Sequence, residues 1–169
     1  MPVTLSNDRI RLFQNAKYSI YTFLALQANR TDASPAQSLN ADIFETNWKI
    51  TNADLANELV RMEKADILKY TIASMSVKWD KLRTSPFTET QLLERFSESI
   101  DQQRSFIFDA LLIDKASSAP TSVTQPITVT TFCDRWKTSK DILFSVLGQL
   151  QSRELLTVDL ADVTITWLI

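Results

Sequence analysis

The last forty residues, Thr130–Ile169, decide the predicted fold: "TTFCDRWKTSKDILFSVLGQLQSRELLTVDLADVTITWLI". They predict a short helix, a tight turn, a longer helix that begins near Lys140, and a two-strand ribbon. The runs "LLTVD" and "VTITWLI" are rich in β-forming residues, and "LAD" would form the turn between them. Val163, Ile165 and Trp167 alternate with threonines, which is the period of a half-buried strand.

The preceding residues predict a series of helices and short strands. A long helix is expected from about Asp8 to Asn29, and the loop that follows contains Pro35. The stretch "FETNWKI" is expected to be extended, "TNADLANELV" to be a short helix, and "ADILKYTIASMSVKWDKL" (Ala65–Leu82) to be a longer helix. A linker, "RTSPFT", precedes a second long helix, which begins at Thr88 with capping-box spacing to Gln91. The stretch "ITV" is a candidate short strand.

The two halves of the chain are weakly similar to each other. "FLAL" and "FDAL" occur within the long helices, "IT" occurs before each short helix, and "ADIL" and "KDIL" open the longer helices. The landmarks keep their order, which favours an internal repeat. The sequence therefore predicts two units, 1–85 and 86–169, joined by a long helix.

The order of elements in each unit resembles the winged-helix superfamily, a helix-turn-helix closed by a small antiparallel sheet. The resemblance implies a mainly α fold with a small β ribbon, arranged as a tandem of two winged-helix-like units. The first unit would have a short or missing wing, since "KWDKLRTSPFT" leaves little room for one. Core positions repeat as well: Ile142, Val146 and Leu150 share one helix face with Leu143 and Leu147.

Composition narrows the possible functions. The 169 residues include one glycine, one cysteine (Cys133) and no histidine. A glycine-rich phosphate cradle, histidine acid–base chemistry and a cysteine zinc site are therefore not expected. We expect neither an enzyme nor a cofactor, and no small-molecule substrate is evident.

Charge and hydropathy bear on the expected partners and compartment. The net charge of −2 is unfavourable, though not prohibitive, for binding DNA phosphates. No continuous apolar stretch approaches the roughly 20 residues that cross a membrane. The N-terminus has no secretory pattern. The sequence predicts a cytoplasmic protein, or a nuclear one in a eukaryotic cell, without a membrane partner.

Possible DNA contacts lie around the second helical turn, if the longer helices are recognition helices. The centres of the outward faces of these helices have no positive charge and do not have the composition of a base-reading surface, and Gln149 is one of the few plausible base contacts. Basic residues lie at the margins and would contact phosphates. The possible DNA-binding residues are Arg135, Lys137, Ser139, Lys140, Gln149 and Arg153, and the alternative is an ordinary solvated surface.

A possible protein interface lies on the longer helix expected in the first unit. Its residues are Tyr70, Ala73, Val77 and Trp79, which would form an apolar patch that a partner covers. The alternative is that another part of the chain covers them. The leading hypothesis is a non-enzymatic protein-interaction adaptor or assembly subunit, with a protein partner or a dimer of the chain. The alternative is a DNA-binding transcriptional regulator that uses the C-terminal winged helix.

Overall fold

A computed structural model describes residues 19–30 and 34–169. Within these ranges the chain forms seven helices and four strands. They are α1 (Ser19–Ala28), β1 (Ala36–Leu39), α2 (Ala41–Trp48), α3 (Asn52–Lys64), β2 (Leu68–Trp79), α4 (Glu89–Phe96), α5 (Ile100–Ser118), β3 (Thr124–Thr128), α6 (Val129–Trp136), α7 (Lys140–Ser152) and β4 (Leu156–Trp167).

The described strands form one antiparallel sheet in the order β1-β4-β2-β3. Its centre is the pair of 12-residue strands β2 and β4, which run from Leu68 opposite Trp167 to Trp79 opposite Leu156. The expected mainly α fold with a small ribbon is therefore wrong. The protein is a mixed α/β structure in which strands of both halves of the chain share one sheet.

The stretch Ala65–Leu82, expected to be a helix, contains β2 instead. Buried side chains alternate from Leu68 to Ile72 and again from Met75 to Trp79, but the alternation shifts by one residue at Ala73–Ser74. Because of this shift, Leu68, Ile72 and Met75 are also spaced like one face of a helix, and the spacing misled the prediction.

The C-terminal stretch forms one continuous strand, and the expected two-strand ribbon is wrong. The alternation of β4 shifts at Ala161–Asp162, where Asp162 has a left-handed backbone (φ 53°). Pairing omits Ala73 opposite Asp162 and resumes in the same register. A shift of one residue in one strand alone would direct all its following side chains to the other face of the sheet. Because both strands have the irregularity at the same point, the apolar side chains of both stay on the helix-covered face.

The order helix–strand–helix–helix–strand occurs twice, and the four elements that follow the first helix begin 88 residues apart. Asn52 and Lys140 begin α3 and α7, and Leu68 and Leu156 begin β2 and β4. The pairing of "ADIL" with "KDIL" is therefore wrong, because the counterpart of Lys140 is Asn52. The expected division between residues 85 and 86 falls between β2 and α4, and it stays a prediction.

Local capping explains where the helices begin. "FETNWKI" was expected to be extended, but α2 covers most of it, and Asn40 caps this helix by accepting the Ile43 N–H at 3.1 Å. The capping box of Thr88 and Gln91 is confirmed, but the helix it opens ends at Phe96, and Ser99 caps a separate helix. The expected first helix is described only from Ser19, and its start near Asp8 lies outside the described residues.

A buried polar network fixes β2 against the second unit. The indole Nε1 of Trp79 donates to Oε1 of Gln125 at 3.0 Å, and Nε2 of Gln125 donates to the Leu111 carbonyl at 2.9 Å. Trp167 is the counterpart of Trp79 at the end of β4, and its buried Nε1 has no acceptor in the described part of the chain. The two tryptophans thus differ in one hydrogen bond.

Trp79→Phe is expected to lower the free energy of unfolding by about 1–3 kcal/mol more than Trp167→Phe does, because only the first change leaves a buried acceptor, on Gln125, without its donor. Urea denaturation of the two variants measures the difference. Equal losses, or a larger loss for Trp167→Phe, would contradict the described network.

Candidate functional site

The helices α3 and α7, which are counterparts in the repeat, pack against each other. They are in close contact at Gly148 of α7, where an added Cβ would overlap the side chain of Asn57 on α3. Asn57 is held there by donating from Nδ2 to the Ala53 carbonyl at 2.9 Å. The single glycine of the chain therefore permits the close contact between these two helices.

This pairing leaves little of either helix exposed. On α7 only Gln149 and Ser152 are exposed, and on α3 only Asp54, Arg61 and Lys64 are. A helix that reads DNA inserts a broad free face into the major groove. Neither α3 nor α7 presents such a face.

A solvent-open groove of about 570 Å³ runs between α3 and α7. Its walls are polar: Asp54, Glu58 and Arg61 carry charges of both signs, and neutral polar residues, among them Asn57, Gln149 and Ser152, line the rest. The expected DNA contact Gln149 lies in this groove. Because the groove carries charges of both signs, it does not favour the anionic phosphate backbone of DNA over other polar ligands.

The side chain of Lys140 is bound within the protein. Its Nζ donates to Oε2 of Glu63 at 3.1 Å and to the Tyr70 carbonyl at 2.6 Å, and it lies 3.8 Å from the centre of the Tyr70 ring. Oε2 of Glu63 also accepts the Tyr70 N–H at 3.0 Å. The ammonium group of Lys140, which was expected to contact phosphate, is thus already paired with a carboxylate. It also donates a hydrogen bond to a backbone carbonyl at an edge of β2.

The second half of the sheet has an equivalent arrangement without charge. Oε1 of Gln151 accepts the Val158 N–H at 2.8 Å, as Glu63 does for Tyr70. Oδ1 of Asn52 accepts the Leu160 N–H at 2.8 Å. Side chains of α3 and α7 therefore occupy hydrogen-bonding groups of β2 and β4 that a neighbouring strand would otherwise use.

Arg135 is also paired inside the protein. Its Nε lies 2.8 Å from Oε1 of Glu89 and its Nη1 lies 3.0 Å from Oδ1 of Asp114, and the guanidinium stacks over Trp136. The hydrogen bond to Glu89 raises the pKa of Arg135, and the same bond lowers the pKa of Glu89. These contacts tie α4 and α5 to α6.

The other expected DNA contacts have varied positions. Ser139 caps α7 by accepting the Ile142 N–H at 3.3 Å. Lys137 ends α6 with a left-handed backbone (φ 53°), and it is exposed, as is Arg153 at the end of α7. Lys137 and Arg153 are therefore the exposed cations of the expected DNA set, at opposite ends of α7.

Three of the four residues expected at a protein interface are buried. Tyr70, Val77 and Trp79 lie on the helix-covered face of β2, and only Ala73 is exposed, at the irregularity of the strand. Tyr70 packs its ring against Phe144 and donates its hydroxyl to Oδ1 of Asp141 at 2.8 Å. These residues do not form an exposed patch, because the chain itself covers them.

The opposite face of the sheet is exposed, and the sequence prediction did not include it. Small polar and charged residues line this face, among them Lys69, Thr71, Lys78, Thr157, Thr164 and Thr166. Their alternation with buried residues was visible in "VTITW", but the β2 half was hidden by the helix prediction. Such a composition is typical of a solvated sheet face.

A pair of carboxylates lies where α2 meets β4. Burial raises the pKa of Asp159, and a hydrogen bond with Asp42 and the charge of Glu45 raise it further. Glu45 itself accepts from Nδ2 of Asn52 at 2.6 Å. Among the described residues, no group of three or more potential ligands could hold a metal ion.

Comparison with family models, with curated proteins and with solved structures finds no match. Within the described ranges no helix has both the length and the apolar character needed to cross a membrane.

Tyr70→Phe is expected to flatten the loss of stability at alkaline pH. Burial, followed by the hydrogen bond to Asp141, raises the pKa of Tyr70, so the folded chain keeps a proton that the unfolded chain releases above about pH 10. The contribution of this proton to the free energy of unfolding is fully present below that pH and is lost as the pH rises above it. Urea midpoints from pH 8 to 11 test this, with the exposed Tyr21→Phe as control. An unchanged alkaline decline in Tyr70→Phe would refute it.

Gly148→Leu is expected to destabilise the protein by about 1–3 kcal/mol, because the new side chain enters the space of Asn57. Asn57→Ala should recover part of this loss in the double variant. A double-mutant cycle from urea denaturation measures the coupling. Strictly additive costs would show that α3 and α7 do not meet there.

Proposed function

We propose that the protein is a non-enzymatic adaptor or assembly subunit, built of two winged-helix-like units, that binds other proteins or a second copy of itself. The observation that carries the proposal is the packing of α3 against α7. In helix-turn-helix proteins the corresponding helix faces are free to enter a DNA groove. Here the contact between α3 and α7 covers much of those faces.

The order of elements supports the winged-helix part of the proposal. Each unit has the helix, short strand, two helices and strand with which a winged helix begins. Where a wing would fold back, β2 and β4 continue and pair with each other. This fold-level resemblance does not define the function by itself.

The charges of the described residues favour the adaptor over the alternative, a DNA-binding regulator. Arg135 and Lys140 are engaged with carboxylates, and Ser139 caps a helix. The DNA alternative therefore depends on Lys137 and Arg153, which could contact phosphates but would carry no sequence information. Under either function the proposed compartment is the cytoplasm, or the nucleus of a eukaryotic cell.

Duplex titration separates the two functions. We expect the wild-type chain and the variant Lys137→Glu/Arg153→Glu to show the same weak duplex affinity at 150 mM salt. We also expect both to recover the same protein partner from native cells after nuclease treatment. Lys81→Glu, which reverses one charge at an exposed lysine outside the expected DNA set, is the control for charge reversal at an unrelated position.

The DNA alternative has the opposite signature. Its affinity for duplex would fall steeply with salt, because bound phosphates release counterions. It would also be lost in the Lys137→Glu/Arg153→Glu variant and kept in Lys81→Glu. That combination would replace the adaptor proposal.

A further inference from the structure

The outer strands β1 and β3 are counterparts that begin 88 residues apart, and they join the sheet in the same way. The Trp167 N–H donates to the Pro35 carbonyl at 2.7 Å just before β1, and the Trp79 N–H donates to the Val123 carbonyl at 2.8 Å just before β3. In the residues that follow such a bond, the backbone groups point alternately away from the neighbouring strand and toward it. Corresponding residues of β1 and β3 therefore direct their N–H and carbonyl groups outward.

The outer edge of β3 is protected against an added strand. By this alternation, Thr124 and Pro126 direct their backbone outward. The Thr124 N–H is bound by Oγ of Ser122 at 3.1 Å, and proline has no N–H. A proline is a common means by which proteins block pairing at a sheet edge. Neither residue offers a donor to a further strand.

The outer edge of β1 keeps a donor at the corresponding place. Oγ of Ser34 binds the Ala36 N–H at 3.3 Å, as in β3, but Ser38 stands where β3 has Pro126. The N–H and the carbonyl of Ser38 both point away from β4. Ser38 is exposed, and no residue of 19–30 or 34–169 binds either group. A further strand can therefore pair with β1.

The available backbone groups of this edge form a self-complementary set. The Asn40 backbone is extended (φ −90°, ψ 106°), so its N–H points outward like that of Ser38, but its carbonyl accepts the Phe44 N–H at 3.0 Å. In the described part of the chain, the groups that remain along the edge are the Ala36 carbonyl, the Ser38 N–H, the Ser38 carbonyl and the Asn40 N–H. When the same strand is laid antiparallel beside it, every donor in this order meets an acceptor.

Charge also favours a second copy at this edge. Sheet edges are often kept apart by charged side chains, lysine above all. The stretch 34–40, "SPAQSLN", has no charged residue. Antiparallel pairing centred on Ser38 would place this residue opposite its equivalent and Gln37 opposite Leu39, so it would bring no like charges together.

We propose that two copies of the chain pair through β1, with Ser38 opposite Ser38 of the second copy. Each Ser38 N–H would donate to the other Ser38 carbonyl, and each Asn40 N–H to the other Ala36 carbonyl. The same surface patch serves both copies, as a two-fold axis requires, and the two sheets become continuous. This inference rests on the proposed function and assigns a surface to its second copy.

Ser38→Pro tests the pairing, because proline removes the N–H and the fold accepts proline at the corresponding position of β3. Sedimentation of the wild-type chain over a concentration series is expected to show a monomer–dimer equilibrium. Ser38→Pro should weaken the dimer at least tenfold. Ser38→Ala keeps the N–H, so this matched control should change the dissociation constant less than threefold. Thermal midpoints report whether the variants fold.

Amide exchange of the wild-type chain gives a readout that does not depend on the variants. The Ser38 and Asn40 N–H groups should exchange more slowly as the protein concentration rises, because both are bound only in the dimer. Exchange that does not change with concentration would contradict the pairing even if Ser38→Pro fails to fold.

Three sedimentation results would overturn the inference. They are a chain that stays monomeric over the series, a dimer that Ser38→Pro leaves intact, or equal losses in Ser38→Pro and Ser38→Ala. If a monomeric chain recovers a protein from native cells and Ser38→Pro does not, the edge belongs to a strand of that protein, and the adaptor function stands without this inference. If the chain dimerises through β1 but recovers no other protein, the adaptor function fails and the dimer stands.

Discussion

The structure depends on the pairing of β2 with β4. These strands come from opposite halves of the chain, yet they pair over their whole 12-residue length and place β1 and β3 at the edges of the same sheet. Each long strand also takes contacts from the other half: Lys140 binds the Tyr70 carbonyl, and Asn52 accepts the Leu160 N–H. Neither half can complete its part of the sheet alone, because each short edge strand pairs with the long strand of the other half.

The shared sheet brings α3 and α7 together and so limits what the protein can bind. Both helices pack on the sheet and on each other, and they come into close contact at Gly148 and Asn57. Two cations expected to contact phosphates, Lys140 and Arg135, instead pair with carboxylates of the protein, Glu63 and Glu89, and so hold strands and helices together. Exposed apolar side chains lie elsewhere, among them Tyr21 and Leu24 on α1, Ile43 on α2 and Ile100 on α5. This distribution is the basis of the proposal that the protein binds other proteins.

The sequence was most informative where a pattern is local. The apolar face of α7 is confirmed by the burial of Ile142, Val146 and Leu150, and the capping box at Thr88 is present. It was least informative for β2, because the shift at Ala73–Ser74 breaks the two-residue period. The interface expected at Tyr70 and Val77 depended on that predicted helix. The segment is a strand instead, and both side chains lie on its buried face. The register of the repeat was available in the tryptophans: the chain has four, and they form two pairs 88 residues apart, Trp48 with Trp136 and Trp79 with Trp167.

The most direct test of the shared sheet is the pattern of nuclear Overhauser effects between α-protons of β2 and β4. The N–H groups of Tyr70 and Val158 are bound by side chains, so Tyr70–Ile165 and Val77–Val158 are pairs without mutual hydrogen bonds, in which the α-carbons approach to about 4.5 Å. The account predicts strong effects for both pairs. Effects within 156–167 that link its first half to its second, as in a folded ribbon, would contradict it.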